Sequence, residues 1–341
     1  MSFSALFGNE RTKKRLSSAV LSGTVPHAFL IDGGQGSGKF TLARELAMAL
    51  NCERKSSEAL LPCRECPSCK RIIKGEHVDI HILERQGGKA SIGVDEIKEL
   101  RRDMYLSSTE AEHKVYIIRD AERMTPEAQN ALLIVLEEPP RNVTIMLLAS
   151  GTDGILTTIK SRAQYIAMER HKEENLADYL VKHNEACAGL MRRDPEAFKL
   201  ITAAADGRIG MALQLIDPER QRALAERRLE TENVLLAMRR GTPFTELYSA
   251  IKSLPKGRAD FSEALERLIS GVSDLILLKY ERGAELSFFT NRDRACEIAD
   301  GIGKDRLYRI FDRINSAHDA NKKNANITAL TASLTSAIFE A

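Results

Sequence analysis

Short β-branched runs alternate with helical stretches up to about residue 168, and none follows. AFLI (28–31), VDIHI (78–82), VYII (115–118), TIMLL (144–148) and QYIAM (164–168) have strand composition, with stretches such as FTLARELAMAL and PEAQNALLIVLEE between them. Strands separated by helices are joined by crossovers, so this half predicts a parallel sheet covered on both faces. Past residue 168, LADYLVKHNEACAGLM and EALERLISGVSDLILLKYE are amphipathic with helical spacing, and the remainder is expected to be all-helical. Asp217-Pro218 marks a boundary inside it, because proline disfavours helix at the residue before it. A chain of 341 residues exceeds one ordinary core, which agrees with two or three domains.

Composition narrows the class. With 43% hydrophobic and 29% charged residues the chain reads as globular. No apolar run approaches the roughly 20 residues that span a bilayer, and MSFSALFGNERTKKRL lacks a signal-peptide pattern, so a cytoplasmic location is expected. A formal net charge of +2 argues neither for nor against a nucleic-acid partner. The absence of Trp and the 5% aromatic content disfavour a base-stacking platform.

GGQGSGKFT (33–41) follows the first strand and precedes a helix, the context a phosphate-binding loop requires. Gly33, Gly36, Gly38 and Lys39 fit the first part of G-x-x-x-x-G-K-[ST], and the amides of 36–39 with the Lys39 ammonium suit a phosphate. Phe40 then stands where magnesium needs a hydroxyl, and Thr41, about 100° further around the helix, turns toward the sheet. The expectation is nucleotide (ATP or ADP) held weakly or not at all, without hydrolysis; a glycine turn with no ligand is the plainer alternative. A second ATPase element belongs at the end of the VYII strand, where an Asp for magnesium and a Glu for water are expected. VYIIRDAERM has Arg119 and Asp120 there. A guanidinium beside a magnesium site repels it by ~4 kcal/mol per unit charge at ~4 Å and an effective dielectric near 20. Ordinary residues in a strand-end loop are the alternative, and both readings remove a metal position.

Four of the six cysteines lie together, Cys52, then ten residues, then Cys63-x-x-Cys66-x-x-Cys69. Four sulfurs at this spacing suit a closed tetrahedral zinc site, structural rather than catalytic, against the alternatives of disulfides or free thiols. His77 and His81 are nearby substitutes but read as strand residues, and Cys187 and Cys296 as core. No Ser-His-Asp or Cys-His arrangement stands out.

FGNE (7–10), HAFLIDGGQGSGK (27–39), the inserted cysteines, HVDIHIL (77–83), NALLIVLEEPP (130–140) and TTIKSR (157–162) together resemble bacterial DNA polymerase III clamp-loader subunits. The resemblance covers about residues 5–215 and continues faintly to NKKNANITAL (321–330). It implies an α/β AAA+ module with a five-stranded parallel sheet and a zinc insert (1–167, zinc module about 52–69), an all-α lid (168–217) and an all-α collar that assembles the ring (218–341). It also implies partners: motor (gamma/tau) and delta subunits, the sliding clamp, and primer–template DNA through the assembled complex.

Motor subunits of that family keep the loop hydroxyl, the magnesium Asp and a lid arginine. Here Phe40, Arg119 and, in ADGRIGMAL (205–213), Gly210 replace them. The departures point to the non-hydrolysing stator of the ring; an active motor with unusual magnesium ligation is the alternative, and a zinc-bearing P-loop kinase a more distant one. By resemblance, Ser161-Arg162 presents an arginine finger to a neighbour's ATP, a role suited to a permanently charged planar guanidinium, against a plain surface arginine. Glu137-Glu138 reads as the end of a helix, 222–230 as a solvated face, and Met211 and Leu213 as lid core.

Overall fold

In the first half of the chain, residues two apart along each strand meet the same layer of helices, which builds two cores around one sheet. The computed structural model describes residues 3–56, 61–85, 91–289 and 291–341; residues 57–60, inside the expected zinc module, lie outside the described residues. The order is α1 (Glu10–Leu21), β1 (Ala28–Asp32), α2 (Lys39–Leu50), α3 (Pro67–Lys74), β2 (Ile80–Leu83), α4 (Val94–Met104), β3 (Lys114–Ile118), α5 (Pro126–Glu137), β4 (Val143–Ala149), α6 (Thr157–Lys160) and β5 (Gln164–Ala167). The five strands form one parallel sheet, ordered β2-β3-β4-β1-β5, with Phe29 of β1 opposite Met146 of β4 and Gln164 of β5. This is the α/β module with helices on both faces that the alternation predicts.

On one face Phe29, Ile31, Val115, Ile117, Met146 and Leu148 pack with Leu42 and Leu46 of α2 and Cys69 and Ile72 of α3. On the other, Leu30, Tyr116, Ile118, Ile145 and Leu147 pack with Ile97 of α4 and Leu132 and Val135 of α5. Truncating a fully buried leucine such as Leu46 to alanine costs about 2–5 kcal/mol in such packing. The carboxyl ends of all five strands lie at one edge of the sheet, where open α/β folds bind ligands.

The expected second strand begins two residues late. Val78 is 54% exposed and outside β2, because the preceding residues are drawn into a turn closed by the Ile80 amide on the His77 carbonyl. Asp79, almost fully buried, accepts from the amides of Thr109, Glu110 and Ala111 at 2.8–2.9 Å.

The remainder is helical: α7 (Glu173–His183), α8 (Glu185–Arg193), α9 (Pro195–Ala205), α10 (Ile209–Leu215), α11 (Pro218–Ala237), α12 (Phe244–Lys252), α13 (Arg258–Tyr280), α14 (Arg292–Asp300), α15 (Lys304–Lys322) and α16 (Ile327–Phe339). Helix α11 starts at Asp217-Pro218, where Pro218 takes the first position and the Asp217 carboxylate accepts from the Glu219 and Arg220 amides, although residues 212–341 belong to one unit. Phe261, Leu265, Leu268, Val272 and Leu275 run down one side of α13 into a core shared with α11, α15 and α16. The chain packs as two units, residues 1–176 with 206–211, and residues 177–205 with 212–341. Leu213, read as core from sequence, is 41% exposed, because Ala212 is the buried residue of α10 and the next residue lies about 100° further around the helix. Among the described residues no helix is long and apolar enough to cross a membrane.

Candidate functional site

The glycine loop turns between β1 and α2 with Gly36 and Gly38 at φ of 78° and 89°, a region L side chains rarely enter. The Ser37 amide donates to the Gly34 carbonyl at 3.1 Å. Lys39 opens α2, but its Nζ donates to the Gly33 carbonyl and the Ser150 hydroxyl, each at 2.7 Å. Burial pulls the ammonium below its ordinary value, against the opposing pull of Glu122, Asp120 and Asp32. The ammonium is thus satisfied by protein oxygens.

The tip of the loop is in backbone contact with the start of α10. The Gly210 amide donates to the Gly36 carbonyl at 2.9 Å, and a Cβ added at Gly210 would lie 2.9 Å from both Gly36 Cα and Gly36 O. A side chain has no room there in this arrangement.

Phe40 and Arg119 meet. The Arg119 guanidinium stands 5.0 Å from the Phe40 ring centroid, within cation–π range, and that of Arg44 at 5.9 Å. Arg119 also pairs with Glu84, and Asp120 pairs with Arg85 at 3.2 Å. Residues 84–85 and 119–120 follow the neighbouring strands β2 and β3, whose register sets Leu83 beside Ile118. A phenyl ring and a guanidinium offer a divalent cation no ligand, and the Asp120 carboxylate is already engaged. Neither Glu84 nor Arg85 was singled out from sequence; the opposed charge order Glu-Arg and Arg-Asp at matching strand ends is the signal that marks them.

The four cysteines converge. Their sulfurs lie within 4.8 Å of one another, none is in a disulfide, and Cys52, Cys66 and Cys69 are buried. A tetrahedral thiolate site with bonds of about 2.3 Å needs sulfurs about 3.8 Å apart, so the four fit a metal ion. Backbone amides already point at two of them: Cys66 N–H at Cys63 Sγ (3.3 Å) and Cys69 N–H at Cys66 Sγ (3.5 Å), the latter capping α3. Burial opposes ionisation of Cys63, but the Glu65 and Cys66 amides and the neighbouring thiols outweigh it and bring it to about 7; burial pushes Cys52 and Cys69 up. Arg64, held at φ 60° between the cysteines, pairs with the buried Glu45 of α2, an anchor sequence reading missed. His77 and His81 are outside the cluster. His77 Nδ1 accepts from the Asp79 amide, and His81 stacks on Tyr116 at 4.8 Å and faces Asp103 at 3.2 Å.

Arg162 follows α6 and precedes β5. One nitrogen lies 2.8 Å from the Glu137 carboxylate at the end of α5, and another donates to the Thr158 carbonyl at 3.1 Å. Ser161 is bonded to the same carbonyl at 3.0 Å, and Ala163 is buried in the core behind it. The guanidinium is therefore aimed by local bonds while remaining over a third exposed.

These features lie in a region shared with known proteins. Residues 8–172 match the family model described as DNA polymerase III, delta subunit. That match covers just under half of the chain. Over 216 residues the chain is 33% identical to DNA polymerase III subunit gamma of Buchnera aphidicola subsp. Schizaphis graminum, covering 63% of this chain and 58% of that protein. Over 339 residues it is 27% identical to subunit tau of Bacillus subtilis, covering 94% and 58%. Over 174 residues it is 32% identical to subunit delta' of Bacillus subtilis, covering 51% of each. The chain thus spans little more than half the length of the curated relatives it matches. The relatives it resembles carry three different subunit names, gamma, tau and delta'.

Proposed function

We propose that this chain is the delta-prime, non-hydrolysing subunit of a DNA polymerase III clamp loader. It assembles with gamma/tau motor subunits and a delta subunit, and the complex loads the sliding clamp on primed DNA. The observation that carries this reading is the Arg119 guanidinium 5.0 Å from the Phe40 ring, with an aromatic side chain and a cation in the two places where an ATPase holds magnesium. The engagement of Lys39 by Gly33 and Ser150 supports it further, since it occupies the ammonium that a phosphate would need, and the Gly36–Gly210 contact brings backbone against the tip of the loop.

In this reading Arg162, with Ser161, reaches a neighbouring subunit's ATP, and Glu137 holds the guanidinium until the neighbour's phosphates compete for it. The cysteine cluster holds zinc as a structural ion; four thiolates leave no open position for chemistry. Residues 168–217 act as the lid and 218–341 as the collar. A second reading, an active motor, is favoured by the gamma and tau relatives.

Reconstitution separates the two. Mixed with motor and delta subunits, the chain is expected to complete a complex that loads clamps, while the isolated chain turns over no ATP. Magnesium-dependent hydrolysis by the isolated chain at a motor's rate would establish the second reading instead.

A further inference from the structure

The helical unit contains a cavity of about 690 Å³ between the end of α11 with the turn after it, the start of α15 and the end of α16. Pockets of this volume hold small organic ligands. Five cations line it, Arg239, Arg240, Lys304, Arg306 and Arg309, against two side-chain carboxylates, Asp305 and Glu340. Their existing partners are mostly uncharged. Arg306 donates to the Met238 and Ile338 carbonyls at 3.2 and 3.1 Å, which fixes it in the wall without neutralising it. Arg309 donates to the Ala341 oxygen from two nitrogens. Arg239 pairs with Glu297, yet its Nε is buried with no hydrogen-bond partner among the described residues. Arg240 and Arg306 have no ion pair among the described residues, and the Lys304 ammonium, 3.7 Å from the Tyr280 ring centroid, has an aromatic partner rather than a carboxylate. Burial, with added repulsion from Arg240 and Arg309, pulls the Arg306 guanidinium below the ordinary arginine value.

Two further features bear on the ligand. Helix α15 begins at Gly303 with no side-chain cap, so its positive end adds to the same wall. Phe339, 46% exposed, lines the cavity and is braced edge-on by Phe244 at 5.4 Å between centroids. A fixed aromatic face beside several guanidinium groups fits a flat ring joined to a compact polyanion.

We propose that this cavity binds a nucleoside diphosphate, with Arg240, Lys304 and Arg306 taking the phosphates and Phe339 the base. The carbonyl-anchored Arg306 presents its remaining donors in a fixed plane, and guanidinium groups pair with phosphate oxygens two at a time. The site is separate from the glycine loop and stands whether or not that loop holds nucleotide.

Calorimetric titration of the 341-residue chain with inorganic pyrophosphate and with ADP tests this, in a Lys39→Ala background that disables the glycine loop. Both probes are expected to bind, ADP the tighter. The Arg240→Ala/Lys304→Ala double variant, altered only at exposed side chains, is expected to weaken both about tenfold or more. Phe339→Ala is expected to weaken ADP and spare pyrophosphate. Absence of binding by both probes, or affinities unchanged in the double variant, overturns the proposal. So does a single-stranded oligonucleotide that binds in a manner sensitive to the double variant while pyrophosphate does not, since the cations would then serve a nucleic-acid backbone.

Discussion

The amide of Gly210 donates to the carbonyl of Gly36 at 2.9 Å, so the tip of the glycine loop is closed by the first turn of α10. A Cβ at Gly36 would meet the Met211 nitrogen at 2.3 Å, and the residue's φ of 78° strains any L side chain. Gly36→Ala is expected to lose about 1–3 kcal/mol in urea unfolding, from backbone strain and the displaced turn. Gly210→Ala, whose Cβ meets only the loop at 2.9 Å, is expected to lose less. Wild-type stability in both variants would show that the closure is not maintained in solution.

Phe40 and Arg119 are expected to be energetically coupled. A double-mutant cycle with Phe40→Leu and Arg119→Met should return an interaction of about 0.5–1 kcal/mol, the range for a partly exposed cation–π pair. A coupling of zero would mean that the two departures from an ATPase site arose side by side without contact.

Metal analysis of freshly purified protein is expected to find one zinc per chain, held by Cys52, Cys63, Cys66 and Cys69. Chelation should lower the melting temperature of the protein, and Cys63→Ser should reduce bound metal well below one equivalent. The binding free energy at stake is on the order of 10 kcal/mol. A chain that purifies without metal and melts unchanged in chelator contradicts the site.

Arg162→Ala is expected to leave complex assembly intact and to lower clamp- and DNA-stimulated ATPase by about 10³-fold or more. Glu137→Gln removes the charge that holds Arg162 at 2.8 Å, and should leave turnover within a few-fold of wild type. Equal losses in the two variants would make the pair structural.

Asp79 gives a pH signature. Burial alone would raise its carboxyl, but the Thr109, Glu110 and Ala111 amides outweigh it and hold it below the ordinary value of 3.8. A folded-state value below the unfolded one means the stabilisation is fully present above about pH 4 and is lost as pH falls through the depressed value. Asp79→Asn should cost about 1–3 kcal/mol near neutrality and flatten the acid limb of the stability profile. An acid limb unchanged from wild type would assign it to other carboxylates.

The sheet was legible in the sequence because each strand carries its own apolar run between turn residues, as AFLI and TIMLL do. Asp217-Pro218 marks the start of α11 for a similar local reason, since proline disfavours helix at the residue before it. Features made by residues far apart were not. Glu137 meets Arg162 across 25 residues, Glu45 of α2 meets Arg64 within the cysteine insert, and Gly36 meets Gly210 from far along the chain. Arg240, Lys304 and Phe339 look like ordinary surface residues until three helix ends bring them together. The four cysteines are the exception, because sulfur is scarce enough for spacing alone to imply convergence.

Helix α2 bears Lys39 at its first position and Glu45 in its body, one bonded to the glycine loop and Ser150, the other to Arg64 amid the cysteines. Oxidation of those thiols would therefore reach the rod that carries the loop, and a redox injury to the insert would be felt at the far end of the same helix.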